Sequence, residues 1–202
     1  MATPSPSVIV LAGPNGAGKT TSSSEVIQDT LGIAEFVNAD VIAKGLSGFA
    51  PEGAALQAGR IMLERLHELA ESQASFCFET TLASRSFAPW IKQLEQQGYL
   101  FHLFYFWLPS PEMAIARVAQ RVRLGGHYVD DDTVRRRYRR GIENFFTLYR
   151  PLATTWSFYD NSQPKVSSLV ARGRGTLDLV VSRPELWNLI RSPYDPPTPS
   201  DG

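Results

Sequence analysis

The sequence predicts an α/β sandwich of the P-loop NTPase type, with a mostly parallel central sheet and a helical, arginine-rich lid. Three observations predict it. Short all-apolar runs alternate with segments of helical period, as expected when helices cover both faces of a parallel sheet. The segment Gly13-Pro14-Asn15-Gly16-Ala17-Gly18-Lys19-Thr20 matches G-x-x-x-x-G-K-[ST] at every defined position, and it directly follows the apolar run Val8-Ile9-Val10-Leu11-Ala12. Arginine is concentrated at 117, 121, 123, 135, 136, 137, 139 and 140, on two helical segments that Gly125-Gly126 separates.

Taken in order, the run 8–12 is a buried first strand, and residues 21–31 continue from the glycine-rich loop as a helix whose N-terminus faces bound phosphates. Residues 35–39 form a short second strand that ends at Asp40 and neighbours the first. A Gly/Ser/Pro loop at 44–51 leads to a helix over 56–71, read from Leu56, Ile61, Met62, Leu63, Leu66 and Leu69. Residues 75–79 are a third strand. A helix over 85–97 stops at Gly98, and 99–108, the most apolar strand, is expected at the centre of the sheet. Pro111 opens a helix that runs to about 124. The arginine-rich helix spans 133–149 and is halted by Pro151. Ser157-Phe158-Tyr159 is another strand, with a turn at Asp160-Asn161-Ser162. Residues 166–171 and 177–181 suit an antiparallel hairpin, and 184–190 a last helix. One domain over 7–190 follows, with disordered tails at 1–6 and 191–202.

Composition narrows the function classes. The 202 residues are 43% hydrophobic and 20% charged, ordinary for a globular chain. Twenty basic residues balance twenty acidic ones, which argues against a nucleic-acid or membrane surface as the main partner. Cys77 is the single cysteine, so no intrachain disulfide forms, and its place in Phe76-Cys77-Phe78 suits a buried thiol. The Pro/Ser-rich start does not resemble a signal peptide and no stretch is long enough to span a bilayer. A cytoplasmic protein is expected.

The chemistry begins at the glycine-rich loop. Backbone N–H groups of Gly13, Asn15, Gly16, Ala17, Gly18, Lys19, Thr20 and Thr21 can cradle ATP phosphates, Lys19 can reach the β- and γ-phosphates, and Thr20 can place its hydroxyl on Mg²⁺. Polar residues at strand ends should converge on the same crevice. Asp40 there can orient an acceptor hydroxyl and take its proton, or simply cap a helix beginning at Val41. Glu79 follows apolar residues much as a Walker B acid does, to hold Mg²⁺ through water or to grip an acceptor, and Thr80 and Thr81 add donors. Arg121, Arg123, Arg135 and Arg136 are the candidates for stabilising the transferring phosphoryl group from a closing lid. His127 lacks a partner at metal-ligand spacing and fits a lid contact. An ATP:alcohol phosphotransferase suits this set best. An ATPase switch, a nucleic-acid-associated ATPase and a 5′-end kinase remain open, since Tyr138 and Phe145 on the arginine-rich helix could accompany a phosphate backbone.

These motifs together resemble the zeta toxin-like P-loop kinases, and more closely the compact bacterial branch described as predicted ABC-type ATPases. The resemblance rests on the glycine-rich loop, Asn38-Ala39-Asp40, Ala58-Gly59-Arg60, Phe78-Glu79-Thr80-Thr81, Arg117 with Gly125-Gly126-His127, the arginine-rich helix and Tyr159-Asp160-Asn161-Ser162. It covers about residues 7 to 165. It implies an ATP- and Mg²⁺-dependent kinase acting on a hydroxyl of a UDP-N-acetyl amino sugar. Asp40 would be the base and Lys19 the phosphate-binding lysine. Glu79 and Thr80, with Arg60, would hold the acceptor. Arginines near 121 or 123 and near 135 or 136 would clamp the phosphates, and Asn161 would lie near the adenine. An antitoxin partner is implied in the same way. The chain is shorter than the larger zeta toxins and its lid carries Gly-Gly-His, which leaves room for another hydroxylated metabolite as acceptor.

Overall fold

The structure is a computed structural model that describes residues 5–20, 34–47, 53–126, 128–164 and 166–194. Seven strands, β1 (Ser7–Ala12), β2 (Glu35–Val37), β3 (Phe76–Thr80), β4 (Leu100–Trp107), β5 (Thr155–Asp160), β6 (Ser168–Arg174) and β7 (Leu177–Val181), form one sheet in the order β2-β3-β1-β4-β5-β6-β7. β2, β3, β1, β4 and β5 run parallel; β6 and β7 are antiparallel additions. The expected hairpin therefore extends the main sheet, and β4 takes the central place its composition predicts.

One expectation is corrected. β2 does not neighbour β1, because β3 lies between them. The reason is burial: Phe76, Cys77 and Phe78 of β3 are fully enclosed, whereas β2 has three residues and leaves Phe36 38% exposed, which suits an edge. Alternation along β1 serves both layers. Val8, Val10 and Ala12 pack into one core with Phe78, Phe101 and Phe158, while Ile9 and Leu11 point to the other with Phe106 and Val118.

The described helices are α1 (Ala39–Leu46), α2 (Ala55–Glu71), α3 (Phe87–Gln96), α4 (Pro111–Arg123), α5 (Asp131–Asn144) and α6 (Pro184–Arg191). Ser110 caps α4 by accepting from Met113 N at 3.1 Å, with Pro111 at its first position. Asp130 caps α5 through Thr133 N at 2.9 Å. α5 is not one α-helix to residue 149: it passes into a π turn, Phe145–Tyr149, and then a 3₁₀ turn, Arg150–Leu152. The widened turn turns Phe145, Phe146 and Tyr149 into the core.

The ordered fold also runs past residue 190, contrary to the expected tail. Arg191 pairs with Asp178 at 3.1 Å, and the Tyr194 ring stacks on Phe146 at 5.4 Å. The expected helix at 21–31, residue Thr21, part of the 44–51 loop, His127 and the ends 1–4 and 195–202 lie outside the described residues.

Candidate active site

The carboxyl ends of β1 and β3, the start of α1, and α4 and α5 surround a cleft of about 730 Å³. Its position follows the rule for parallel sheets. The glycine-rich loop turns at Gly16, whose φ of 77° is left-handed; a methyl group there would sit 2.8 Å from the Ala114 carbonyl oxygen, so the loop rests directly on α4. Behind it, Asn161 donates to the Ala17 carbonyl at 2.6 Å. Arg117 in turn donates to the Asn161 and Ser162 carbonyls at 2.8 and 2.7 Å.

Lys19 is 6% exposed. Its Nζ donates to the carbonyls of Gly13 (3.0 Å) and Pro14 (3.1 Å) and lies 3.3 Å from Glu79 Oε1. Glu79 Oε2 accepts from Thr20 Oγ1 at 2.7 Å and from Asn38 Nδ2 at 2.8 Å. One carboxylate thus joins the loop lysine, the loop hydroxyl and the start of α1. Hydroxyl and carboxylate oxygens converging in this way fit a divalent cation that keeps water and phosphate among its ligands. No group of three or more His, Cys, Asp or Glu that could cage a metal is found among the described residues.

Asn38 also settles how α1 begins. Its Oδ1 accepts from Asp40 N at 2.8 Å and Val41 N at 3.3 Å, so Asn38 is the cap and Asp40 is not. Asp40 sits in the first helical turn with its carboxylate 48% exposed in the cleft, 3.6 Å from Arg121 Nη1. Arg137 joins the same space and donates to Asn15 Oδ1 at 3.5 Å. Burial pulls its pKa down, while the charge of Asp40 opposes that shift.

Among the expected site residues, Asn15, Gly16, Gly18, Lys19, Thr20, Asp40, Glu79, Thr80 and Arg121 line the cleft. Others do not. Gly13 and Ala17 contribute buried carbonyls, and Asn161 is buried behind the loop with its amide on Ala17. Arg60 is exposed outside the cleft, because the inward face of α2 is set by Ala58, Met62 and Leu66. Arg123 is exposed at the end of α4; Arg136 is exposed and donates to Thr133 Oγ1 at 3.1 Å. Arg135 lies 3.6 Å from Glu112. Helical phase explains the difference: Val134 and Gly141 are buried, and Arg137 falls three after one and four before the other, while 135 and 136 turn away. That spacing was the available signal for Arg137.

A second group was not anticipated. The loop after β3 carries Leu82 at φ 56°, fully buried and left-handed without being glycine. Thr80 Oγ1 accepts from Leu82 N at 3.2 Å and Thr81 Oγ1 from Ala83 N at 3.5 Å. The far end of α5 pins this loop. Asn144 Nδ2 donates to Leu82 O at 2.7 Å and Tyr149 OH to Ser84 O at 2.7 Å. A methyl group on Gly141 would lie 2.4 Å from Thr81 O, so only glycine admits this approach. Burial pushes the Tyr149 phenol up to about 12, which keeps it a donor at neutral pH.

Comparison with known proteins bears on the family and the fold. The AAA domain family (AAA_33) matches residues 8–145. An uncharacterized protein of Haemophilus influenzae is 32% identical over 130 residues, covering 64% of this chain and 91% of its own length. A chain of the AvrRxo1-ORF1:AvrRxo1-ORF2 complex, crystallised with sulphate ions, superposes with a TM-score of 0.70 at 19% identity over 96% of this chain. The present chain spans about two thirds of that one, 66%. The same complex has also been crystallised with ATP. The PezAT toxin–antitoxin system of Streptococcus pneumoniae matches with a TM-score of 0.64 at 18% identity, over 94% of this chain and 80% of the other. The chain belongs to the AAA domain family, and it shares its fold with the AvrRxo1 and PezAT chains.

Proposed function

We propose that the protein transfers the γ-phosphoryl group of ATP to the hydroxyl of a small molecule, with Asp40 as the base. The observation that carries this is the placing of Asp40: a half-exposed carboxylate in the same cleft as Lys19, facing Arg121 at 3.6 Å, on a residue whose backbone N–H donates to Asn38 Oδ1. The acceptor oxygen bonds to the γ-phosphorus as the bond from that phosphorus to the bridging oxygen of ATP breaks. ADP leaves with the electron pair and the hydroxyl proton passes to Asp40.

The other roles follow from position. Lys19 exchanges the carbonyls of Gly13 and Pro14 for phosphate oxygens, and the loop amides hold the β-phosphate. Thr20 would hold Mg²⁺, with Glu79 acting through water, and the ion would supply neutralising charge to the phosphates. Arg121 and Arg137 stabilise charge on the transferring group, rather than Arg123 or Arg136. Asn161 supports the loop from behind instead of touching the base. The family resemblance supports a UDP-N-acetyl amino sugar as one acceptor to try, and an antitoxin as a protein partner. A cytoplasmic site of action suits an ATP-dependent reaction, and no described helix is long and apolar enough to cross a membrane.

Incubation with γ-labelled ATP, Mg²⁺ and a panel of UDP-sugars, hydroxy acids, sugar phosphates and oligonucleotides tests the proposal. Label is expected on one small hydroxylated molecule, reduced by about 100-fold or more in Asp40→Asn. Full transfer by that variant would refute the base assignment. ATP hydrolysis that rises only with nucleic acid would support an ATPase switch instead.

A further inference from the structure

The acceptor end of the cleft has a chemical bias that goes beyond the phosphotransferase reading on which this inference rests. Lys44 stands one helical turn after Asp40 on α1, so the two share a face, and both line the cleft. On the β3 side are the hydroxyls of Thr80, Thr81 and Ser84. Leu82 N and Ala83 N already donate to the oxygens of Thr80 and Thr81. Each of these two hydroxyls keeps its proton and one lone pair for a ligand, while Ser84 Oγ accepts from Ser86 N at 3.1 Å and lies 2.7 Å from Ser86 Oγ. The ledge is held in advance by Asn144, Tyr149 and the close approach of Gly141.

Acceptor groups are scarce by comparison. Among the described lining residues, Lys19, Lys44, Arg117, Arg121 and Arg137 face only Asp40 and Glu79 as carboxylates, in a chain of zero net charge. Glu79 is engaged by Lys19, Thr20 and Asn38. A neutral polyol requires donors and acceptors in similar number, because each of its hydroxyls does both. A donor-rich pocket with one carboxylate instead matches a ligand with one reacting hydroxyl and an oxyanion. The magnesium–nucleotide complex answers the cations around Lys19, and Lys44 with the hydroxyl ledge is left for a second anion.

We propose that the acceptor is a hydroxylated oxyanion, carrying a carboxylate or phosphate within a few bonds of the hydroxyl that Asp40 receives. Lys44 and Thr81 are its specificity determinants. The proton and phosphoryl movements are those given above; the oxyanion takes no part in them and fixes which hydroxyl faces Asp40.

The test is calorimetric binding of glycerol, glycerate and glycerol 3-phosphate to the full chain saturated with Mg²⁺ and a non-hydrolysable ATP analogue. One of the two anions is expected to bind at least about 10-fold more tightly than glycerol, and the better of them names the oxyanion. Lys44→Met should remove most of that preference, Lys44→Arg should restore it, and Thr81→Val should weaken it; circular dichroism checks that each variant is folded. Equal binding of all three probes, absence of anion binding below about 10 mM, or a Lys44→Met protein with the wild-type preference would overturn the proposal. Because the nucleotide cannot react, this result is separate from turnover. Anion preference without transfer of label to any acceptor would keep the subsite and sink the kinase, whereas transfer to glycerol and glycerate alike would do the reverse.

Discussion

At the end of the cleft that we assign to the nucleotide, Lys19 and Thr20 follow directly from β1, and Glu79 comes from the adjacent strand, whose register sets it beside Leu11. At the acceptor end, Thr80 to Ser84 owe their position to Asn144 and Tyr149, 62 and 65 residues along the chain. The first end is a short motif closed by strand pairing. The second is a strained turn that persists because distant side chains over-determine it. Damage to the first should therefore act on chemistry with little effect on the acceptor loop, and damage to the second should act on acceptor binding and stability together.

The largest effect is expected at the nucleotide end. Lys19→Met should reduce phosphoryl transfer by more than about 100-fold in a protein that circular dichroism shows to be folded. Next, Arg137→Ala should cost about 10- to 100-fold in transfer, while Arg136→Ala stays within about 2-fold. Equal losses from the two would mean that helical phase does not select the working arginine. At the acceptor end, Asn144→Ala leaves the buried Leu82 carbonyl without its donor, which should cost about 1–3 kcal/mol of stability in urea unfolding. The same variant should raise the KM for the acceptor while leaving that for ATP unchanged; a matching rise in both would blur the division between the two ends.

The smallest effect concerns Asp160, which precedes the loop-supporting Asn161. Burial pushes its carboxyl up, but bonds from Ser162 and the Arg183 charge outweigh this, and its pKa is lowered below the ordinary value of 3.8. A depressed pKa means that the folded state binds fewer protons, so the stabilisation is present above that ordinary value and is lost as pH falls through the folded one. Asp160→Asn should lower Tm at pH 7, and the gap to the wild type should narrow below about pH 4. Since Arg183 is 47% exposed, the gap should be small.

The placing of the glycine-rich loop, at the end proposed for the nucleotide, was largely legible in the sequence because its residues lie in one spacing pattern behind an apolar strand. Glu79 was legible as an acid at a strand end, though its grip on both Lys19 and Thr20 needed the β1–β3 pairing. β2 was misplaced because strand order depends on relative burial across the whole sheet, which no local pattern encodes. Arg123 and Arg136 stand out only by their place in the arginine-rich stretch and Arg60 only by the family resemblance; Arg137 required the helical phase fixed by Val134 and Gly141. The left-handed Leu82 and its supports had no local signal, since leucine disfavours that conformation and the bonds that hold the loop come from Asn144 at the end of α5 and Tyr149 in the π turn.

The most direct measurement is phosphorus NMR of the full chain with Mg²⁺, ATP and an oxyanion-bearing acceptor. Formation of a phosphomonoester in step with ADP, absent with Lys19→Met, is the predicted result. ADP accompanied by inorganic phosphate alone, at the same rate with and without the acceptor, would contradict a phosphotransferase.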